Sequence, residues 1–263
     1  MYLKDKKLFL LDMDGTIYLD NNLFDGTIDF LNEVKSQNKR YLFLTNNSSK
    51  GITDYVEKLN SIGIPAVSLD FLTSTDVTAI YINKNYHGKK FYCSGTKSFI
   101  KQLKESGVSV TEHIDDDIFG IILANDQEIT FKKLEDICKL LTRDNIVYIA
   151  TNPDWVCPTA FGYVPDCGSF ADIIRRATGK VPKFLGKPNP EMILLALEKF
   201  GYSKDECVMI GDRLYTDIAS GYNSGVETVL VLSGESTRED VEKSEIKPTY
   251  ITDGIKDIYL SII

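Results

Sequence analysis

The stretch LFLLDMDGTIY, residues 8–18, decides the fold. Leu8 to Leu11 are apolar without a break; Asp12 and Asp14 follow one residue apart, with Gly15 and Thr16 directly behind. An unbroken apolar run of this length reads as a strand buried on both faces, the kind found inside a parallel sheet. A carboxylate beside such a run is costly unless something pairs it. The two acids are therefore either solvated turn residues at a strand end or groups that hold a cation and do chemistry. Gly15 allows the tight turn that follows, within which Thr16 would hydrogen-bond.

The same pattern returns further along. RYLFLTNN (40–47) reads as a second buried strand with a polar end, and KKFYCSG (89–95), ECVMIGD (206–212) and ETVLVLSG (227–234) as further strands. Between them, TIDFLNEVKSQ (27–37) puts Ile28, Leu31 and Val34 on one helical face, and ITDYVEKLNSIG (52–63) does so with Ile52, Tyr55, Val56 and Leu59, Gly63 serving as the stop. NPEMILLALEKFG (189–201) predicts a helix with Asn189 at the N-cap, Pro190 in the first helical position and Gly201 at the end. STRE (236–239) reads as a capping box. Such alternation predicts a parallel sheet covered by helices through right-handed crossovers. Residues 97–181 carry an alternation of their own, from FIKQLKESG to FADIIRRATGK. The expected fold class is thus α/β: a Rossmann-like parallel core over residues 1–96 and 182–263, interrupted by a smaller inserted α/β domain at 97–181.

Composition narrows the chemistry. A chain of 263 residues with 43% apolar and 26% charged residues matches a soluble globular protein. No apolar run approaches the roughly 20 residues that span a bilayer, and the N-terminal residues lack a signal-peptide cleavage pattern; the expectation is a cytoplasmic protein with no membrane partner. Cys93, Cys138, Cys157, Cys167 and Cys207 form no CxxC, which argues against a disulfide framework or a zinc site. His87 and His113 are not spaced as metal ligands, so acid–base work falls to carboxylates. The net charge of −8 comes with no basic stripe for nucleic acid. An anionic substrate would need a local cationic site.

Three predicted strands end in polar groups: Asp12 and Asp14, Thr45 and Asn46, and Asp212. In open parallel sheets, ligands collect beyond the carboxyl ends of the strands. A lone DxD says little. DxDGT closing a buried strand says more, and here TNN, GKP and GDxxxxD join it.

Together, DMDGTIY, LTNNSS, ATNPD, GSFADIIRRATGK and GKPNPEM resemble the haloacid dehalogenase (HAD) superfamily of aspartyl phosphotransferases, in the NagD-like branch that includes 4-nitrophenylphosphatases. The resemblance runs over essentially the whole chain. It implies a Mg²⁺-dependent phosphomonoesterase acting on a small phosphorylated metabolite such as a nucleoside monophosphate, a sugar phosphate or pyridoxal phosphate. Asp12 would be the nucleophile, forming an aspartyl-phosphate, and Asp14 the general acid and base. The resemblance gives the metal to Asp12, the main-chain carbonyl of Asp14, and Asp212; Mg²⁺ favours such hard oxygen ligands. Thr45, Asn46 and Lys187 would bind the phosphoryl group. Asp217 would stand behind them, orienting Lys187 or a metal-bound water, with plain helix capping as the alternative. Arg213 would screen the acids.

The inserted module would be a cap of the second class, closing over the site and reading the leaving group. In TNPDW, Asn152 and Asp154 are offered as substrate-facing, with an Asx turn as the alternative, and Trp155 or Phe161 as stacking surfaces. Cys167 departs from the family pattern, which has Gly or Ala there. Caps of this class often join dimer contacts, so the resemblance leaves room for a homodimer and the oligomeric state stays open. Two rival functions use the same residues: a phosphotransferase or phosphomutase, and a retired phosphatase that only binds a phosphometabolite. The short interval after the first motif, and the presence of all four core residues, argue against them.

Overall fold

The computed structural model describes residues 2–159 and 161–263. The chain divides into two compact units: the first takes the chain up to Thr45, Ile52–Leu72 and Lys187–Ile263, the second Asn46–Gly51 and Thr73–Gly186.

The first unit is built on a six-stranded sheet in the order Tyr250–Thr252, Glu227–Val231, Cys207–Gly211, Leu8–Leu11, Arg40–Thr45, Phe71–Thr73. The Leu8–Leu11 strand lies between Cys207–Gly211 and Arg40–Thr45, parallel to both, with Leu11 level with Ile210 on one side and Phe43 on the other. All four of its residues are fully buried, which explains the unbroken apolar run. Phe9 and Leu11 join Phe43, Val208 and Ile210 in one core cluster with Phe30 and Val34 of the Thr27–Ser36 helix and Ile258 and Ile262 of the Ile255–Ile262 helix. The Phe9 and Phe30 rings meet edge to face, their centroids 5.5 Å apart. Carrying the register one residue further sets Asp12 beside Gly211 and Leu44, and the Asp12 amide donates to the Ile210 carbonyl at 2.9 Å.

The second unit has its own parallel sheet of five strands, in the order Lys183–Phe184, Val147–Ala150, Ile118–Leu123, Lys90–Ser94, Ser109–Thr111. Its core joins Tyr92, Ile121, Leu123, Ile137, Tyr148 and Ile174. Side-chain oxygens cap its four longer helices: Thr73, Thr96, Thr130 and Asp166 each accept a main-chain N–H at a helix start. An antiparallel ribbon, Val156–Thr159 with Gly162–Pro165, completes it.

Four expectations need correction. The second unit begins well before residue 97, because Lys90–Ser94 pairs with Ile118–Leu123 in the second sheet and not with the core. It also reaches beyond 181, because Lys183–Phe184 is an edge strand of that sheet. The helix after GKP begins at Glu191 with Pro190, not Asn189, in the cap position. The capping box sits one residue later than STRE: Thr237 and Asp240 close it, the Asp240 carboxylate accepting the Thr237 N–H at 2.8 Å. Among the described residues no helix is long and apolar enough to cross a membrane.

Burial also sets the thiols. It pushes Cys167 and Cys207 up to about 12 and Cys93 upward as well. At pH 8 these three should stay protonated and resist a thiol reagent until the protein is unfolded, while the half-buried Cys138 and Cys157 react first. Peptide mapping after timed alkylation checks this; early labelling of Cys167 or Cys207 in the folded protein would contradict the packing.

Candidate active site

The carboxyl end of the Leu8–Leu11 strand brings together side chains of the first unit that lie far apart in sequence. Asp12, Asp212 and Asp217 each offer a carboxylate oxygen within 4.8 Å of the others. The Lys187 ammonium sits among them, 2.6 Å from Asp12 Oδ1 and 2.6 Å from Asp217 Oδ1. Asp217 is fully buried and the Lys187 side chain 3% exposed, whereas that of Asp12 is 16% exposed. One member of the cluster therefore opens to an incoming molecule.

Local structure explains how the acids come so close. Gly15 has φ +88°, which a side chain would strain, and a Cβ there would lie 2.5 Å from Asp212 Oδ2. A Cβ at Gly234 would lie 2.0 Å from the same oxygen, and one at Gly211 would lie 2.3 Å from Asp217 Cβ. Three glycines thus leave the space that the two carboxylates fill. Asp212 Oδ2 accepts the Glu235 N–H at 2.8 Å, and its Oδ1 accepts the Thr16 hydroxyl at 3.3 Å. Asp217 lies in the π-helical turn Leu214–Ile218 and reaches back to accept the Arg213 N–H at 3.1 Å.

The electrostatics follow from this crowding. Burial, and then the charges of Asp217 and Asp212, push Asp12 up to about 8 although Lys187 pulls it down. Burial and the Asp217 charge push Asp212 up to about 6, against the Glu235 hydrogen bond. For Lys187, burial works downward, but Asp12 and Asp217 together outweigh it and hold the ammonium above the ordinary lysine range. Three carboxylates against this buried ammonium leave an excess of negative charge. The donors are all carboxylate oxygens, with one edge open. That set fits a hard divalent cation that takes few protein carboxylates and keeps water, and lacks the nitrogen and sulfur ligands typical of zinc.

Of the expected metal set, the structure brings the Asp12 and Asp212 carboxylates together. Asp217 belongs to the carboxylate cluster itself. The Asp14 carboxylate turns away from it: Oδ2 accepts the Tyr18 hydroxyl at 3.3 Å and Oδ1 pairs with Lys58 at 3.5 Å. Lys58 also lies over the Tyr18 ring, 4.0 Å from its centroid. Sequence reasoning misses Lys58, which looks like any solvated lysine on an amphipathic helix, and Gly234, which sits in a featureless SGES. It places the Thr16 hydroxyl within its own turn, whereas its partner is 196 residues away.

Thr45, the last residue of its strand, is buried, and Lys187 also donates to the neighbouring Leu44 carbonyl at 3.4 Å. Asn46, the next residue, belongs to the second unit, where its amide donates to Asp154 at 3.0 Å. Asn152 is offered as substrate-facing on sequence and is fully buried here. Its amide is engaged by Asp154 at 3.1 Å and Asp166 at 3.2 Å. Trp155 and Phe161 are exposed, 59% and 82%.

A family profile described as haloacid dehalogenase-like hydrolase matches residues 9–109, and one described as HAD-hydrolase-like matches 184–258. The acid sugar phosphatase of Staphylococcus aureus (strain MRSA252) is 36% identical over 250 residues, covering 94% of this chain and 95% of that protein. The crystal structure of 4-nitrophenylphosphatase from Thermotoga maritima superposes with a TM-score of 0.93 at 39% identity, covering 99% of each chain. NagD from E. coli K-12 does so with a TM-score of 0.88 at 28% identity over 98% of each.

Removing one partner of a buried ion pair strands the other charge. Lys187→Met should therefore lower unfolding stability by about 3–5 kcal/mol in denaturant titrations without added divalent cation. A loss below about 1 kcal/mol would mean that the cluster behaves as a solvated surface pair.

Proposed function

The chain belongs to the haloacid dehalogenase-like hydrolases, in the branch with NagD and the 4-nitrophenylphosphatases, and from that premise we propose that it is a Mg²⁺-dependent phosphomonoesterase working through an aspartyl-phosphate on Asp12. The observation that carries this reading is the cluster of Asp12, Asp212 and Asp217 around Lys187, with Asp12 alone partly exposed.

Asp12 Oδ attacks phosphorus; the P–O bond to Asp12 forms as the bond to the leaving oxygen breaks. The Asp14 carboxyl gives its proton to that oxygen, and its carboxylate later takes a proton from the attacking water, so that the P–O bond to Asp12 breaks and inorganic phosphate leaves. Lys187, with Thr45 and Asn46, holds the phosphoryl oxygens, over which the transferring charge is spread. Asp217 keeps the Lys187 ammonium in place at 2.6 Å. Asp12, Asp212 and the Asp14 carbonyl would hold Mg²⁺, with Asp217 beside them. Once bound, the ion supplies the positive charge that lets a carboxylate approach a phosphate dianion.

The relatives named acid sugar phosphatase support a sugar phosphate as the substrate class, ahead of nucleoside monophosphates. The second unit is the module to which the resemblance assigns substrate choice.

A panel of phosphate esters assayed with and without Mg²⁺ tests the class. Stoichiometric inorganic phosphate that depends on Mg²⁺ is expected, whereas an isomerised sugar phosphate would indicate a mutase. Asp12→Asn should reduce turnover by more than about 10³-fold, as loss of a nucleophile does, with the fold intact by circular dichroism. Near-normal turnover by that variant would defeat the nucleophile assignment.

A further inference from the structure

We propose that Asp154 and Ser74 are positioning residues that fix Asn46 for phosphate; the inference rests on the phosphate-binding role given to Asn46 above.

Asn46 opens a loop, where a polar side chain is ordinarily solvated. Here it is buried and held at three points within the second unit. Its Nδ2 donates to Asp154 Oδ2 at 3.0 Å. Its main-chain carbonyl accepts the hydroxyl of Ser74, the first residue of the Ser74–Asn85 helix, at 2.7 Å. Gly186 approaches its other side so closely that a Cβ there would lie 2.5 Å from Asn46 Oδ1. A carboxylate can only accept, so Asp154 decides which end of the amide faces it. Because both N–H bonds of an amide lie in one plane, engaging one fixes the direction of the other.

Asp154 is itself fixed from behind. The same Oδ2 accepts Asn152 Nδ2 at 3.1 Å, and Asn152 Nδ2 also donates to Asp166 Oδ1 at 3.2 Å. Asp166 Oδ2 in turn accepts Asn125 Nδ2 at 2.9 Å, and Asp166 caps the Cys167–Thr178 helix. The chain of partners thus runs from a helix start to Asn46, through groups that are all buried. Burying two carboxylates costs several kcal/mol each unless their partners are well placed. An apolar contact would close the loop as well, but would leave the amide free to turn. Asp154 therefore acts through Asn46 and not on the substrate.

The test measures two quantities, the inhibition constant of inorganic phosphate and the Michaelis constant for para-nitrophenyl phosphate. They are compared for Asn46→Ala, for the isosteric Asp154→Asn and for the double variant, with melting temperatures alongside. Asn46→Ala removes the hydrogen bond to phosphate, and Asp154→Asn replaces the acceptor-only carboxylate that orients Asn46 with an amide that can also donate; each should raise both constants about tenfold. Asp154→Asn should add less than about twofold when Asn46 is already Ala, since the two act as one unit. Unchanged constants in Asn46→Ala would remove the role of Asn46, and this inference with it. Weakening in Asn46→Ala but not in Asp154→Asn, or full additivity in the double variant, would overturn the inference alone. So would a lower melting temperature in Asp154→Asn with unchanged constants. Should Asp154→Asn fail to fold, Ser74→Ala replaces it in the cycle. It should raise the constants about threefold through the lost hydroxyl, and no change would overturn the inference.

Discussion

The Lys187 ammonium between Asp12 and Asp217 is the interaction on which the site depends. Without it, three carboxylates within 4.8 Å would repel one another in a buried place, and the least costly response would be for them to take up protons. A protonated Asp12 is no nucleophile. One lysine offsets only part of the charge, which is why burial and its acidic neighbours still hold Asp12 up to about 8. The remaining excess suits a divalent cation, and the glycines at 15, 211 and 234 give the acids room to share one.

The sheet supplies the geometry that makes this crowding reproducible. Asp12 sits one residue beyond a strand that is hydrogen-bonded on both sides, so its main chain has little freedom. Asp212 and Thr45 close the two neighbouring strands, and parallel pairing brings all three ends to one edge. Residues far apart in the chain thereby meet at one sheet edge. Lys187 and Asp217 are then held by this frame, each by more than one hydrogen bond.

Much of this is legible in the sequence because buried parallel strands leave a strong mark. Leu8–Leu11, Arg40–Thr45 and Cys207–Gly211 read as apolar runs with polar ends that point to Asp12, Thr45 and Asp212, and the GKP motif before a helix points to Lys187. What fails does so for physical reasons. An apolar run such as Lys90–Ser94 looks the same in either of two parallel sheets, and this misplaces the boundary of the insertion. Lys58 and the Thr16 hydroxyl gain their meaning only from partners across the fold. Asn152 and Asp154 are offered to a substrate because TNPDW follows a strand and resembles a family signature; the hydrogen bonds that tie them to one another and to Asn46 are not visible in the sequence. Spacing along the chain does not reveal the wide turn at Leu214–Ile218 that sets Asp217 beside Asp12 and Asp212.

The proposed reaction places a covalent phosphoryl group on Asp12. Acid quenching of the enzyme during its first turnover of a phosphate ester, followed by mass spectrometry of the peptide that contains Asp12, reads it directly. One added phosphoryl mass on that peptide, lost on standing with water, is the predicted result. An unmodified Asp12 peptide at every quench time, with inorganic phosphate already released, would contradict it.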